Sequence, residues 1–117
     1  MAALIIKQLL ACVHYTLQKK VVHTGLRPEI IYLSQGLNTD AFAIGSVKIT
    51  DFGLVPAMNT KEFLNSPQAM SQMYCAAPEV LSGMKHANSD VWSTGVILHI
   101  MLVGFPPFRA SDPHELA

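Results

Sequence analysis

Apolar residues recur near the start of the chain at Ile6, Leu9, Leu10, Val13 and Leu17, a spacing that draws one stripe along a helix. Lys7, Gln8 and Gln18 fall off the stripe, so the pattern predicts an amphipathic helix from Ala2 to about Lys20. Lys19 and Lys20 at its end suit the negative pole of the helix dipole. No capping residue precedes it, and a helix that begins almost at Met1 is unusual for a complete domain. Pro28 then biases Arg27 away from helical geometry, which makes the stretch around it a loop. Ile30-Ile31-Tyr32-Leu33 reads as a short buried strand. Val47-Lys48-Ile49-Thr50 alternates apolar and polar, as a strand with one buried face does. Gly36, Asn38, Asp40 and Gly45 between them are turn residues, so an antiparallel pair with a long connection is expected.

Residues 54–76 show no sustained period and carry Pro56, Asn59, Asn65 and Pro67, the pattern of a long loop. Pro78 to Ser82 predicts a short helix with proline in its first position and Gly83 closing it. Asn88 or Ser89 can cap a further helix from Asp90 to Val103, ended by Gly104 and Pro106-Pro107-Phe108. That helix is apolar nearly all round, yet it is too short, and too interrupted by Ser93, Thr94 and His99, to span a membrane. A helix of this kind belongs in the centre of a larger core, with Trp92 filling space and His99 buried and hydrogen-bonded. The last nine residues begin an element that is not completed.

Half of the 117 residues are hydrophobic and only 14% are charged, against roughly 25% in an ordinary soluble domain. A chain this short folds as one unit at most and has little charge to cover its surface. Its apolar faces are therefore expected to meet a partner, another protein covering them. Net charge is zero with no basic run, so neither nucleic acid nor an anionic membrane is a suggested partner. Cys12 and Cys75 lie far apart with no metal-ligand spacing, and read as free thiols in a reducing compartment. The N-terminus is not a signal peptide, and the chain is expected in the cytoplasm.

Candidate chemistry concentrates in three stretches: His23-Thr24-Gly25-Leu26-Arg27-Pro28-Glu29-Ile30, Asp51-Phe52-Gly53 and Ala77-Pro78-Glu79. In that order, with a helix before them and a strand pair between the first two, they resemble the catalytic loop, the metal-binding motif and the end of the activation segment of eukaryotic protein kinases. The run from Asp90 to Leu98, with Gly104 and Pro106-Pro107-Phe108, and the run from Ile5 to Leu10 are most similar to the calcium-dependent protein kinases and their calmodulin-kinase relatives. The resemblance covers residues 1–117. It implies a mainly α fold with a small antiparallel β hairpin, a partial kinase-like C-terminal lobe without the N-lobe or the last helices.

Phosphoryl transfer requires a positioned nucleotide, metal ions and a group that orients the attacking hydroxyl. The resemblance places Gly25 where the family has the aspartate that accepts the hydroxyl proton, and Ile30 where it has a metal-binding asparagine. Arg27 stands for the lysine that steadies the transferring phosphoryl group and is the one catalytic candidate left. Thr24 replaces the arginine that docks a phosphorylated activation loop. Asp51 remains as a ligand for one magnesium ion and for nucleotide phosphates, and Tyr32 lies where the adenine ring would rest, able to stack on it or obstruct it. Glu79 retains its identity, and Asp90 is expected to bond backbone amides of the loop. His23 is expected to be structural. Thr60, Ser66 and Ser71 are ordinary loop hydroxyls. Mg-ATP is implied by the family, and its binding by a chain with these replacements is not. No calcium-binding loop occurs. The expected function is a kinase-like chain of Ser/Thr kinase ancestry that does not transfer phosphate. The alternatives are a non-enzymatic interaction module or the truncated product of an active kinase gene.

Overall fold

A computed structural model describes residues 1–34, 45–52 and 73–109. The elements are helix α1 (Ala2–Gln18), a single 3-10 turn (Pro28–Ile30), strands β1 (Ile31–Leu33) and β2 (Val47–Ile49), a one-turn helix α2 (Pro78–Leu81) and helix α3 (Ser89–Val103). Residues 35–44 of the strand connection, residues 53–72 with Gly53, Thr60, Ser66 and Ser71, and the last eight residues lie outside the described residues.

Helix α1 buries Ile6, Leu9 and Val13 from the predicted stripe, and Leu17 packs on the same cluster. Leu10 does not join them and is 42% exposed; at 100° per residue it sits at the edge of the face that meets α3. The helix stops at Gln18 because Lys20 turns left-handed (φ 58°). There the Val21 amide donates to Thr16 O and the Lys20 amide to Leu17 O, the two bonds of a Schellman closure. Helix α2 closes the same way at Gly83 (φ 85°), with Met84 donating to Glu79 O and Gly83 to Val80 O. Gly104 (φ 91°) ends α3 with its amide on Ile100 O.

The strands pair antiparallel, as expected, with Ile31 opposite Ile49, Tyr32 opposite Lys48 and Leu33 opposite Val47. β1 is not the buried strand anticipated: Ile30 belongs to the preceding turn, and Tyr32 is 56% exposed. With only two strands, one face of the hairpin packs on the core through Ile31 and Ile49 while the other is open. Gln8 ties the hairpin to α1, its Oε1 accepting from the Val47 amide at 2.8 Å and its Nε2 donating to Gly45 O at 3.4 Å.

The core lies between α1 and α3. Ile6, Leu9 and Val13 meet Val96 and Ile97, and Leu26, Ile30 and Cys75 complete the cluster. Helix α3 has two unlike sides. Ser89, Asp90, Ser93, Thr94, Val96 and Ile97 are buried, whereas Val91, Trp92, Leu102 and Val103 are exposed. Trp92 is therefore not core filling: it is 40% exposed and stacks on Phe108 with ring centres 5.6 Å apart. His99 also departs from expectation, since its buried Nε2 has no hydrogen-bond partner among the described residues and the ring instead meets Phe105 edge-on. Asn88 occupies the N-cap position of α3 without a capping side-chain bond.

Candidate functional site

The loop from His23 to Ile30 hangs from the first turn of α3. Asp90, 1% exposed, accepts the His23 amide at 2.7 Å on Oδ2 and the Thr24 amide at 2.8 Å on Oδ1. This is the role expected of it. Hydrogen bonds from amides to a carboxylate are stronger than neutral ones, and two of them fix both the position and the orientation of the loop. They also hold Thr24 at φ 66°, a conformation that costs a β-branched residue of order 1–3 kcal/mol and persists only where its surroundings impose it. The Thr24 hydroxyl is turned inward, donating to His23 O at 2.6 Å. Nothing of its side chain is offered to solvent, since the residue is 3% exposed.

His23 is structural, and the geometry assigns its tautomer. Nε2 lies 2.8 Å from the Thr50 carbonyl, which only accepts, so this nitrogen carries the hydrogen. Nδ1 accepts from the Gly25 amide at 3.1 Å. The ring edge meets Phe52 with centres 4.5 Å apart. Thr50 and Phe52 flank Asp51, so His23 fastens the end of β2 beside the loop. Thr50 adds a bond from its amide to Ile30 O at 3.1 Å. Asp51 between them is exposed and left-handed, φ 59°.

The positions that would carry chemistry are less alike than the sequence suggests. Gly25 is buried, does not adopt a positive φ, and presents only backbone. Arg27 does not reach outward. Its Nη1 donates back to Gly25 O at 3.1 Å, its Nε is 3.8 Å from Glu29 Oε2, and the side chain is 13% exposed. Ile30 is 2% exposed and belongs to the core cluster with α1 and α3. Tyr32 stands on the open side of the hairpin, away from these groups.

These residues bear directly on metal binding. Hard cations take oxygen ligands; Asp51 supplies a carboxylate, while Ile30 supplies an alkyl group directed into the core. One magnesium ligand fits and the second does not. No group of three or more metal-ligating side chains exists among the described residues.

Two further segments close around the loop. The Tyr74 hydroxyl donates to Glu29 Oε1 at 2.5 Å, and the Ser93 hydroxyl donates to Cys75 O at 2.9 Å. Burial, followed by the bond to Glu29, raises the Tyr74 phenol above its ordinary value. Burial and the Glu29 charge push the Cys75 thiol up to about 12. Cys12 is raised as well, by burial and then by Asp90. Both cysteines are free thiols, as expected. Glu79 accepts from the Ser89 hydroxyl at 2.8 Å, and bonds from its own backbone amide and from Ser89 lower its carboxyl. Sequence reasoning assigned no role to Tyr74, Gln8 or Ser93. Their partners lie 45, 39 and 18 residues away, and no local pattern announces such pairs.

A buried aspartate holding the amides of a His-led loop, a hairpin followed by Asp-Phe, and Ala-Pro-Glu at the start of a short helix are the features on which the family resemblance rests. The family model described as protein kinase domain matches residues 1–117, and the chain belongs to that family. It is 37% identical over 115 residues to calcium-dependent protein kinase 4 of Plasmodium falciparum, covering 98% of this chain and 21% of that protein. It is 43% identical over 104 residues to the carbon catabolite-derepressing protein kinase of Candida albicans, covering 87% and 15%. To the sucrose non-fermenting protein kinase 1 of Fusarium virguliforme it is 43% identical over 110 residues, covering 92% and 14%. The chain thus spans about a fifth or less of the length of these relatives.

Proposed function

We propose that this chain is a kinase-fold element of Ser/Thr kinase ancestry that keeps the architecture of the catalytic loop and does not transfer phosphate. The observation that supports this most is the state of Gly25 and Ile30. The loop is held by Asp90 in a single arrangement, but the place of the proton acceptor carries no side chain and that of the metal ligand is built into the core. Catalysis of phosphoryl transfer rests on positioning and electrostatics, so loss of both groups removes most of what a protein contributes. Arg27 does not compensate, since it is turned onto Gly25 O. Among the described residues, Asp51 is the one that would hold a magnesium ion on nucleotide phosphates; the ion would neutralise developing charge there. Phosphotransfer from Mg-ATP to generic protein substrates tests the reading. Incorporation at background, equal in the parent and Asp51→Ala, is expected; turnover that Asp51→Ala abolishes overturns it.

A second reading, a non-enzymatic interaction module in the cytoplasm, is favoured by the outer side of α3. Trp92, Val91, Gly95, Val96, Pro107 and Phe108, with Glu79 and Asn88 at the edge, line an open groove of about 700 Å³. Exposed contiguous apolar surface of this kind commonly marks a protein contact. Light scattering and thermal melting of the isolated chain check it: self-association or a broad, non-cooperative melt is expected, and a monodisperse, sharply melting monomer argues against a partner.

A further inference from the structure

We propose that Tyr74, Glu29 and Arg27 form a clasp that locks the loop 23–30 to the segment 73–77, and that Tyr74 is the positioning residue whose release opens it. The inference holds whether or not the chain transfers phosphate. Both segments are hung independently from α3. Asp90 carries the loop through the amides of His23 and Thr24, and Ser93, three residues on and on the same side of the helix, carries the second segment through Cys75 O. Their outer ends are joined only through Glu29 among the hydrogen bonds and ion pairs of the described residues. One carboxylate oxygen takes the Tyr74 hydroxyl, and the other faces Arg27 Nε. Arg27 in turn is bonded to Gly25 O. The chain of contacts Tyr74–Glu29–Arg27–Gly25 therefore ends on the backbone of the residue that has lost its side chain.

The direction of control follows from burial. Arg27 is mostly enclosed, and a guanidinium withdrawn from water needs its acceptors. The Glu29 side chain is 55% exposed and has alternatives in water. Left to itself, an exposed carboxylate holds such a contact weakly, because solvent screens it and side-chain entropy opposes it. Tyr74 supplies what is missing, a donor on a half-buried ring with few rotamers, and so keeps Glu29 beside Arg27. Without that hydroxyl, Glu29 swings out, Arg27 keeps its bond to Gly25 O but loses its ion-pair contact, and the outer ends of the two segments loosen from one another while Leu26, Ile30 and Cys75 stay packed in the core.

Amide hydrogen exchange on the full chain, followed by mass spectrometry, tests this with Tyr74→Phe, Glu29→Ala and the double variant. Tyr74→Phe retains the ring and is expected to speed exchange in both 25–30 and 73–77 by roughly tenfold, leaving α1 unchanged. Glu29→Ala, which removes the acceptor, is expected to do the same, and the double variant to do no more than either alone, since both remove one unit. Parent-like exchange in either segment of Tyr74→Phe overturns the clasp, as does an additive double variant. Faster exchange throughout α1 also overturns it, because it shows a general loss of stability.

Discussion

Gly25 and Ile30, the two positions on which the proposed loss of phosphoryl transfer rests, differ in kind. At Gly25 there is no side chain, the backbone does not adopt a positive φ, and the carbonyl is capped by Arg27. At Ile30, where the resemblance puts a metal-binding asparagine, the residue is apolar and buried. Its side chain joins Leu9, Leu26 and Ile97 in the centre of the fold. On the proposed reading, the first position is vacant and the second is part of the core, so a polar side chain at the second costs packing as well.

Asp90 holds the start of this loop through the His23 and Thr24 amides, whatever side chains the loop carries further on. Asp90→Ala leaves the His23 and Thr24 amides buried without partners, releases the left-handed Thr24, and is expected to cost about 3–5 kcal/mol. Urea unfolding followed by circular dichroism measures it. Ile30→Asn restores a metal-type ligand at the price of core packing and of an amide with no partner there; the expected loss is about 2–4 kcal/mol by the same method. Gly25→Asp adds no left-handed strain, since Gly25 does not adopt a positive φ, but it places a carboxylate at a buried position, with Arg27 nearby as its counter-charge; the expected loss is about 1–2 kcal/mol, less than at Ile30. Equal effects of Ile30→Asn and Gly25→Asp would erase the distinction between the two positions.

Smaller effects come from pH. The Tyr74 phenol is raised in the folded chain, so its contribution is complete below its ordinary value of 10 and is lost as pH rises beyond it. The Glu79 carboxyl is lowered, so its contribution is present above its ordinary value of 4.5 and is lost as pH falls through the folded value. Melting temperature should fall at both ends, with Tyr74→Phe flattening the alkaline side and Ser89→Ala the acid side. Over the same range below pH 9, Cys75, with its thiol pushed up to about 12, should resist alkylation until the chain unfolds.

The sequence is a fair guide to one helix and a poor one to the other. The stripe of α1 names Ile6, Leu9 and Val13 because polar residues bound it, and it errs only at Leu10, on the edge. Helix α3 is apolar nearly all round, so its pattern carries no direction; that Trp92 and Leu102 face outward while Ser93 and Thr94 are buried could not be read from it. Polar residues on the inner side bond to α3's own carbonyls and to Cys75 O, which is how they tolerate burial. The role of Asp90 was legible only through the resemblance, 66 residues from its partner Thr24. Ile30 is expected to be buried as the first residue of a strand; it is buried, but in the turn that precedes the strand. The inward turn of Arg27 was not legible, since it depends on where Glu29 and Tyr74 meet.

The central claim is that α3 holds this loop in place independently of the side chains the loop carries. Residue-resolved amide exchange by NMR at His23 and Thr24 tests it most directly, in the parent and in Gly25→Asp. Exchange as slow as that of the α1 core, in both proteins, is the predicted result. Exchange at the rate of an open loop in the parent would contradict it.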